Sequence, residues 1–161
     1  MTVADAQLAY MDTSAFVKLV IAEPETEALI AALAPETRLV ASEILEVEAV
    51  RAARRARGQE AADNARAQLA GVRLLPLTAQ VRRRASELDP DTLRSLDAIH
   101  IATALDLGER LDCIYAYDTR MTAAAETFGL RTRAPTADLA AEAGADQLDP
   151  DVSEQPTTGS G

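Results

Sequence analysis

Three aspartates and one glutamate stand where they could do chemistry. Asp12 closes a short apolar run, Leu8–Asp12, and Asp118 follows another, Cys113–Tyr117. Asp97 lies near the start of the apolar segment Leu93–Leu107, and Glu48 lies early in the segment Glu43–Arg57. If the two short runs are parallel strands, their ends are where an α/β sheet binds its ligands. Carboxylates gathered there without Lys or His partners would repel one another. A hard divalent cation relieves that repulsion, and ligands that are all oxygen suit Mg²⁺ or Mn²⁺. Such an ion works on phosphates by lowering the pKa of a bound water and stabilising charge on phosphoryl oxygens. The expected chemistry is metal-assisted phosphodiester hydrolysis. The competing reading is that these are solvated acids at helix termini, favoured by the helix macrodipole.

The elements that must position these acids follow from the local pattern. Strands are expected at Leu8–Asp12, Arg38–Ala41, Val72–Leu75 and Cys113–Tyr117, with an edge strand at Leu130–Ala134. Helices are expected over Ser14–Ala22 and Glu25–Leu33, the second with Pro24 at its first position. Further helices are expected over Glu43–Arg57 with Ser42 as N-cap and Gly58 as stop, over Glu60–Ala70, and from Thr78 through Leu88. Leu93–Leu107 ends at Gly108, Met121–Phe128 ends at Gly129, and Asp138–Ala143 can make one last turn. Short strands alternating with helices predict an α/β fold, a mainly parallel sheet flanked by helices in three layers. One domain is expected over residues 1–146. The remainder, 147–161, is acidic and poor in large apolar residues, which predicts disorder.

Composition narrows the classes. The chain has 161 residues, of which 48% are hydrophobic, enough for one domain with a real core. A single cysteine, Cys113, excludes an internal disulfide, and a single histidine, His100, excludes a multi-histidine zinc centre. No stretch reaches the roughly 18 apolar residues of a membrane span. Met1–Tyr10 contains no Lys or Arg, so a signal peptide is not expected and a cytoplasmic location is. Taken as a sum, the net charge of −10 argues against nucleic acid. Six of the acids, however, follow Arg133, the last basic residue, and 15 of the 16 basic residues are Arg. Arg suits bidentate phosphate contacts.

Four segments carry a family resemblance: Tyr-Met-Asp-Thr-Ser at 10–14, Val-Glu-Ala-Val-Arg-Ala at 47–52, Leu-Asp-Ala-Ile-His-Ile-Ala at 96–102 and Tyr-Asp-Thr-Arg-Met at 117–121. In this order and spacing, over about residues 8–137, they resemble the PIN-domain ribonucleases, specifically VapC-type toxins of toxin–antitoxin pairs. The resemblance implies a PIN fold and an endoribonuclease dependent on Mg²⁺ or Mn²⁺. It also implies a homodimer, an RNA substrate and a VapB-type antitoxin, with DNA contacted only through that antitoxin. Asp12, Glu48, Asp97 and Asp118 match the family's acidic quartet, and Thr13 and Ser14 match its hydroxyl positions. Glu43, Glu46 and Glu48 compete for the second acid. Glu46 and Glu48 point about 160° apart on a helix, so only one of them faces inward. The family pattern favours Glu48, because Arg51 stands three residues after it.

Other residues have two readings. Arg51, Arg54, Arg55 and Arg57 form either a solvated helical face or a rail for the RNA backbone, and Arg120 either contacts phosphate or pairs with an acid. Arg82–Arg84 reads as a solvated face. His100, one turn after Asp97, can share its face and touch metal or phosphate, but reads first as a packing residue on an apolar helix; Cys113 reads as a buried small hydrophobe. The apolar segments Phe16–Ile21 and Leu29–Leu33 exceed the needs of a small core; part of that surface is either a dimer seam or antitoxin groove, or ordinary core. A haloacid-dehalogenase-type phosphotransferase fits poorly, since position 14 is Ser and not a second Asp. A non-catalytic binding module that docks an antitoxin or other partner remains the rival to an enzyme.

Overall fold

The computed structural model describes residues 8–35 and 37–137. The expected last turn at Asp138–Ala143 and the acidic segment 147–161 lie outside those residues. Five parallel strands form one sheet: β1 (Leu8–Met11), β2 (Arg38–Ser42), β3 (Arg73–Leu75), β4 (Leu111–Tyr115) and β5 (Thr132–Arg133). Their order is β3-β2-β1-β4-β5. The chain therefore winds outward from β1 through β2 to β3, then returns to the other side of β1 for β4 and β5. The reversal falls between β1 and β4, and a crevice opens at such a reversal beyond the carboxyl ends of the strands.

Six α-helices among the described residues cover the sheet: α1 (Thr13–Val20), α2 (Thr26–Ala32), α3 (Ile44–Leu69), α4 (Ala79–Ser86), α5 (Ser95–Leu105) and α6 (Thr119–Thr127). The period-2 geometry of a strand sends successive β1 side chains to opposite faces. Ala9 and Met11 join Phe16, Leu29, Leu45 and Ala49 in one core, while Tyr10 joins Ile101, Ala104, Met121 and Ala125 in the other. The result is the expected α/β/α sandwich with a parallel sheet.

Several local expectations are corrected. Ser42 does not cap α3. It pairs with Leu75 as the last residue of β2, and its N–H goes to the Tyr10 hydroxyl, so its backbone stays in the sheet. Glu43 occupies the cap position without a side-chain cap bond. Pro24 sits in the turn before α2, not in its first turn. The segment Leu93–Leu107 becomes helical only at Ser95. The apolar segments Phe16–Ile21 and Leu29–Leu33 are consumed by the core: Phe16 and Leu29 are fully buried, and Leu19, Val20 and Leu33 pack against them. Ile30 alone among these large side chains is exposed.

Gly58 interrupts α3 as expected, but as a break between two helical halves that run on in sequence. Its φ of 78° and ψ of −162° fall in a region that is essentially reserved for glycine. No atom lies within 4 Å of where a Cβ would stand, so the constraint is purely one of backbone. Gly58→Ala is expected to destabilise the fold by about 1–3 kcal/mol in urea unfolding, without a change in the m-value.

Candidate functional site

Three of the four acids sit at helix N-termini that converge on the β1/β4 crevice. Asp12 follows β1 and N-caps α1, where its Oδ2 accepts the Ser14 N–H at 3.0 Å and the Ser14 hydroxyl at 2.6 Å. Asp118 follows β4 and N-caps α6, where its Oδ1 accepts the Arg120 N–H at 2.8 Å. Asp97 lies in the first turn of α5. The positive end of each helix faces its acid, which offsets part of the cost of grouping negative charges.

Ser14 fastens the two sides of the crevice together. While its hydroxyl donates to Asp12, it accepts the N–H of Tyr117 at 2.8 Å and of Asp118 at 3.2 Å. One side chain therefore sets the Asp12 carboxylate and the backbone that carries Asp118.

The fourth acid comes from α3. Glu48 turns inward, and its Oε2 accepts the Thr13 hydroxyl at 2.8 Å and lies 2.7 Å from His100 Nε2. Glu46 is exposed, and Glu43 is exposed and accepts the Leu77 N–H, so neither enters the crevice. Asp12, Thr13, Ser14, Glu48, Asp97 and Asp118 all line one cleft of about 590 Å³.

His100 overturns the packing reading. It is 1% exposed and has a polar partner on each nitrogen: the Tyr10 hydroxyl 2.8 Å from Nδ1, and Glu48 at Nε2. Asp12 Oδ1 lies 3.9 Å from the same Nε2. The sequence carried one signal for this, the i,i+3 spacing of Asp97 and His100, which puts both on one side of α5. Cys113 is buried and free, as expected, and burial pushes its thiol up to about 11.

Residues not singled out from sequence complete the cleft. Arg94, the residue before α5, lines it, as do Lys18, Glu23 and Tyr117. Lys18 sits 4.6 Å from the Tyr117 ring centroid and pairs with Glu23 and Glu25, which pins one cleft wall. Arg51, Arg54, Arg55 and Arg120 are exposed and form no ion pair among the described residues. Arg51, Arg54 and Arg55 share a shallow depression with Arg66. Arg51 and Arg55 also border a mostly apolar groove floored by Ile44, Val47 and Leu96, which meets the cleft at Thr13 and Glu48.

Protonation follows this layout. Burial raises the Asp97 carboxyl, and the negative charges of Asp12 and Asp118 raise it further. Burial also acts upward on Glu48, but the hydrogen bonds from His100 and from the Thr13 hydroxyl outweigh it and hold that carboxyl low. Among the described residues, no three acids are drawn into a ready-made metal cage. The donor set nevertheless fits Mg²⁺, which keeps several of its waters and needs only one or two direct carboxylates.

The PIN-domain profile matches residues 9–127 of this chain. Ribonuclease VapC46 of Mycobacterium tuberculosis is 41% identical over 127 residues, covering 79% of this chain and 97% of that protein. Ribonuclease VapC47 of the same species is 38% identical over 132 residues, covering 80% and 97%. Among solved structures, M. tuberculosis VapC20, a sarcin–ricin loop cleaving toxin, superposes with a TM-score of 0.61 at 23% identity, covering 72% of this chain and 94% of that one. A toxin–antitoxin complex from Klebsiella pneumoniae gives 0.56 at 22% identity, covering 71% and 90%. The first of these likenesses defines the class, and the chain belongs to the PIN-domain family, in its VapC branch.

The raised Asp97 carboxyl has a consequence for stability. An acid whose folded pKa is raised adds stability below its unfolded pKa, and that stability is lost as pH rises through the folded value. Asp97→Asn is therefore expected to raise the Tm of the metal-free protein by a few degrees at neutral pH. The gain should vanish below the ordinary aspartate range, as a pH series of thermal melts would check.

Proposed function

We propose that the chain is a metal-dependent endoribonuclease, the toxin of a VapBC-type pair, that works in the cytoplasm. The observation that carries this reading is the cleft at the β1/β4 reversal, which Asp12, Glu48, Asp97 and Asp118 line together. The relatives' names, ribonucleases at 38–41% identity, support the same reaction class.

In this reading Asp12, Asp97 and Asp118 hold Mg²⁺ or Mn²⁺ directly or through water. The ion when bound would activate a water and stabilise charge on the phosphoryl oxygens. Glu48, held low by its neighbours, is ionised and can take a proton from the attacking water. That water's oxygen bonds to phosphorus, the ribose oxygen leaves, and solvent returns a proton to it. Ser14 keeps Asp12 turned toward the site, and Thr13 steadies Glu48. Arg51, Arg54, Arg55 and Arg120 take the RNA phosphates that flank the scissile one.

The partners we propose are RNA, a second copy of the chain and a VapB-type antitoxin, with DNA reached only through the antitoxin. The groove floored by Ile44, Val47 and Leu96 opens directly into the cleft, so an apolar antitoxin segment seated there would close the site. Val47 is 62% exposed and Leu96 46%, which is costly to leave in water side by side.

Cleavage of RNA should require Mg²⁺ or Mn²⁺ and cease with chelator. Asp97→Asn should lower it by more than about 100-fold, beyond the usual loss from an outer-shell change. A protein that binds antitoxin but cleaves no RNA with either metal would instead be a binding module. Arg54→Ala should weaken RNA binding and reduce the slope of log affinity against log salt by about 0.7, the share of one single-strand phosphate contact. Unchanged slopes in Arg51, Arg54 and Arg55 variants would return that face to the solvent. Light scattering should show a dimer.

A further inference from the structure

We infer that Tyr10 and His100 are positioning residues, a buried relay that commits one oxygen of Glu48 to the protein and leaves the other for the reaction. The inference rests on the proposed nuclease reading for its catalytic meaning, but the relay itself is a matter of hydrogen bonds.

The bonds run in one direction. The Tyr10 oxygen accepts the Ser42 N–H at 2.9 Å, so its own proton is free to go elsewhere. His100 Nδ1 lies 2.8 Å away. On the far side of the ring, an ionised Glu48 can only accept, so Nε2 must carry a hydrogen. The consistent arrangement is Tyr10 O–H donating to a bare Nδ1, and His100 Nε2–H donating to Glu48 Oε2. Tyr10 therefore selects the ring tautomer, and the tautomer supplies the donor.

Both donors that reach Glu48 end on the same atom. Thr13 and His100 meet Oε2 at 2.8 and 2.7 Å. Oε1 has no bond assigned to it among the described residues. A glutamate on a solvent-facing helix would swap its two oxygens freely. Here two donors on one oxygen fix the rotamer and present Oε1 to the cleft. The relay is also rigid, because Tyr10 is 0% and His100 1% exposed and their rings meet edge to face. Its far end is the backbone of β2, so an interior strand of the sheet aligns a carboxylate on α3 through a residue of α5. Loss of such outer hydrogen bonds at metal sites commonly costs 10–100-fold.

The chain has a single histidine, so its imidazole nitrogens give one unmixed pair of ¹⁵N signals. In the intact metal-free protein at mildly alkaline pH, Nε2 should be protonated and Nδ1 bare. Tyr10→Phe should shift this toward a mixture of tautomers. An Nδ1–H ring, a doubly protonated ring, or a Tyr10→Phe spectrum like the parent's would overturn the relay, whatever the protein cleaves. For its catalytic role, His100→Ala should lower kcat by about 10–100-fold at saturating Mn²⁺ with KM for RNA unchanged. His100→Gln, whose amide can reach Oε2, should recover most of that loss. His100→Ala added to Glu48→Gln should cost nothing further, since both act through one carboxylate. A folded His100→Ala protein with full kcat, a Gln variant no better than Ala, or additive losses would each sink the role. If the parent shows the expected tautomer but no metal-dependent cleavage, the nuclease reading fails and the relay stands.

Discussion

Mutual repulsion of carboxylates is the constraint around which this molecule is arranged. Like charges brought within a few ångströms raise one another's pKa and favour either protonation or separation. Asp97 shows that pressure, held high by burial and by its two aspartate neighbours. The fold opposes it with three helix N-termini, one under each of Asp12, Asp97 and Asp118. Arg94, which lines the same cleft, adds a positive charge that also pulls the Asp97 carboxyl down. The cost is that the protein without metal holds its site under tension.

Strand order decides where those helices start. With β1 flanked by β2 on one side and β4 on the other, the loops after β1 and β4 turn to opposite faces and leave a crevice between them. Asp12 is the first residue beyond β1, and Asp118 the third beyond β4. Ser14 then sets how far apart the loops stand, because one hydroxyl binds the carboxylate on one side and two backbone N–H groups on the other. Specificity of position thus comes from a short polar side chain at a topological break, while the two apolar cores on either side of the sheet supply the stiffness.

Much of this was legible in the residues. Apolar runs that end in Asp, with helical periods between them, pointed to a parallel sheet and to both crevice acids. Gly58, Thr78 and the glycines after α5 and α6 marked breaks through local backbone preferences. What escaped was set by contacts across long sequence distances. Ser42 has the composition of an N-cap, but pairing with Leu75 keeps it in the sheet. His100 looked like packing because its helix is apolar on most sides. Its partners, Tyr10 and Glu48, are 90 and 52 residues away, and no local pattern joins them. Phe16 and Leu29 looked like surplus surface until α1, α2 and α3 were seen to share one core.

The charge of the chain can now be read by place instead of by sum. Asp12, Glu48, Asp97 and Asp118 face one cleft, where a divalent ion would neutralise part of their charge. Arg51, Arg54 and Arg55, without an ion pair among the described residues, share a depression on α3 that is distinct from that cleft. In the proposed reading, a polyanion approaching such a surface would meet the arginines first, and the acids only where a metal mediates between carboxylate and phosphate. That division allows an acidic protein to accept RNA, because steering by charge acts over about 10 Å and responds to the nearest face, not to the net total. It also gives the groove at Val47 and Leu96 its significance. In the proposed reading, an apolar partner bound there would lie against Arg51 and Arg55 on one side and Glu48 on the other, and would obstruct phosphate capture and hydrolysis together.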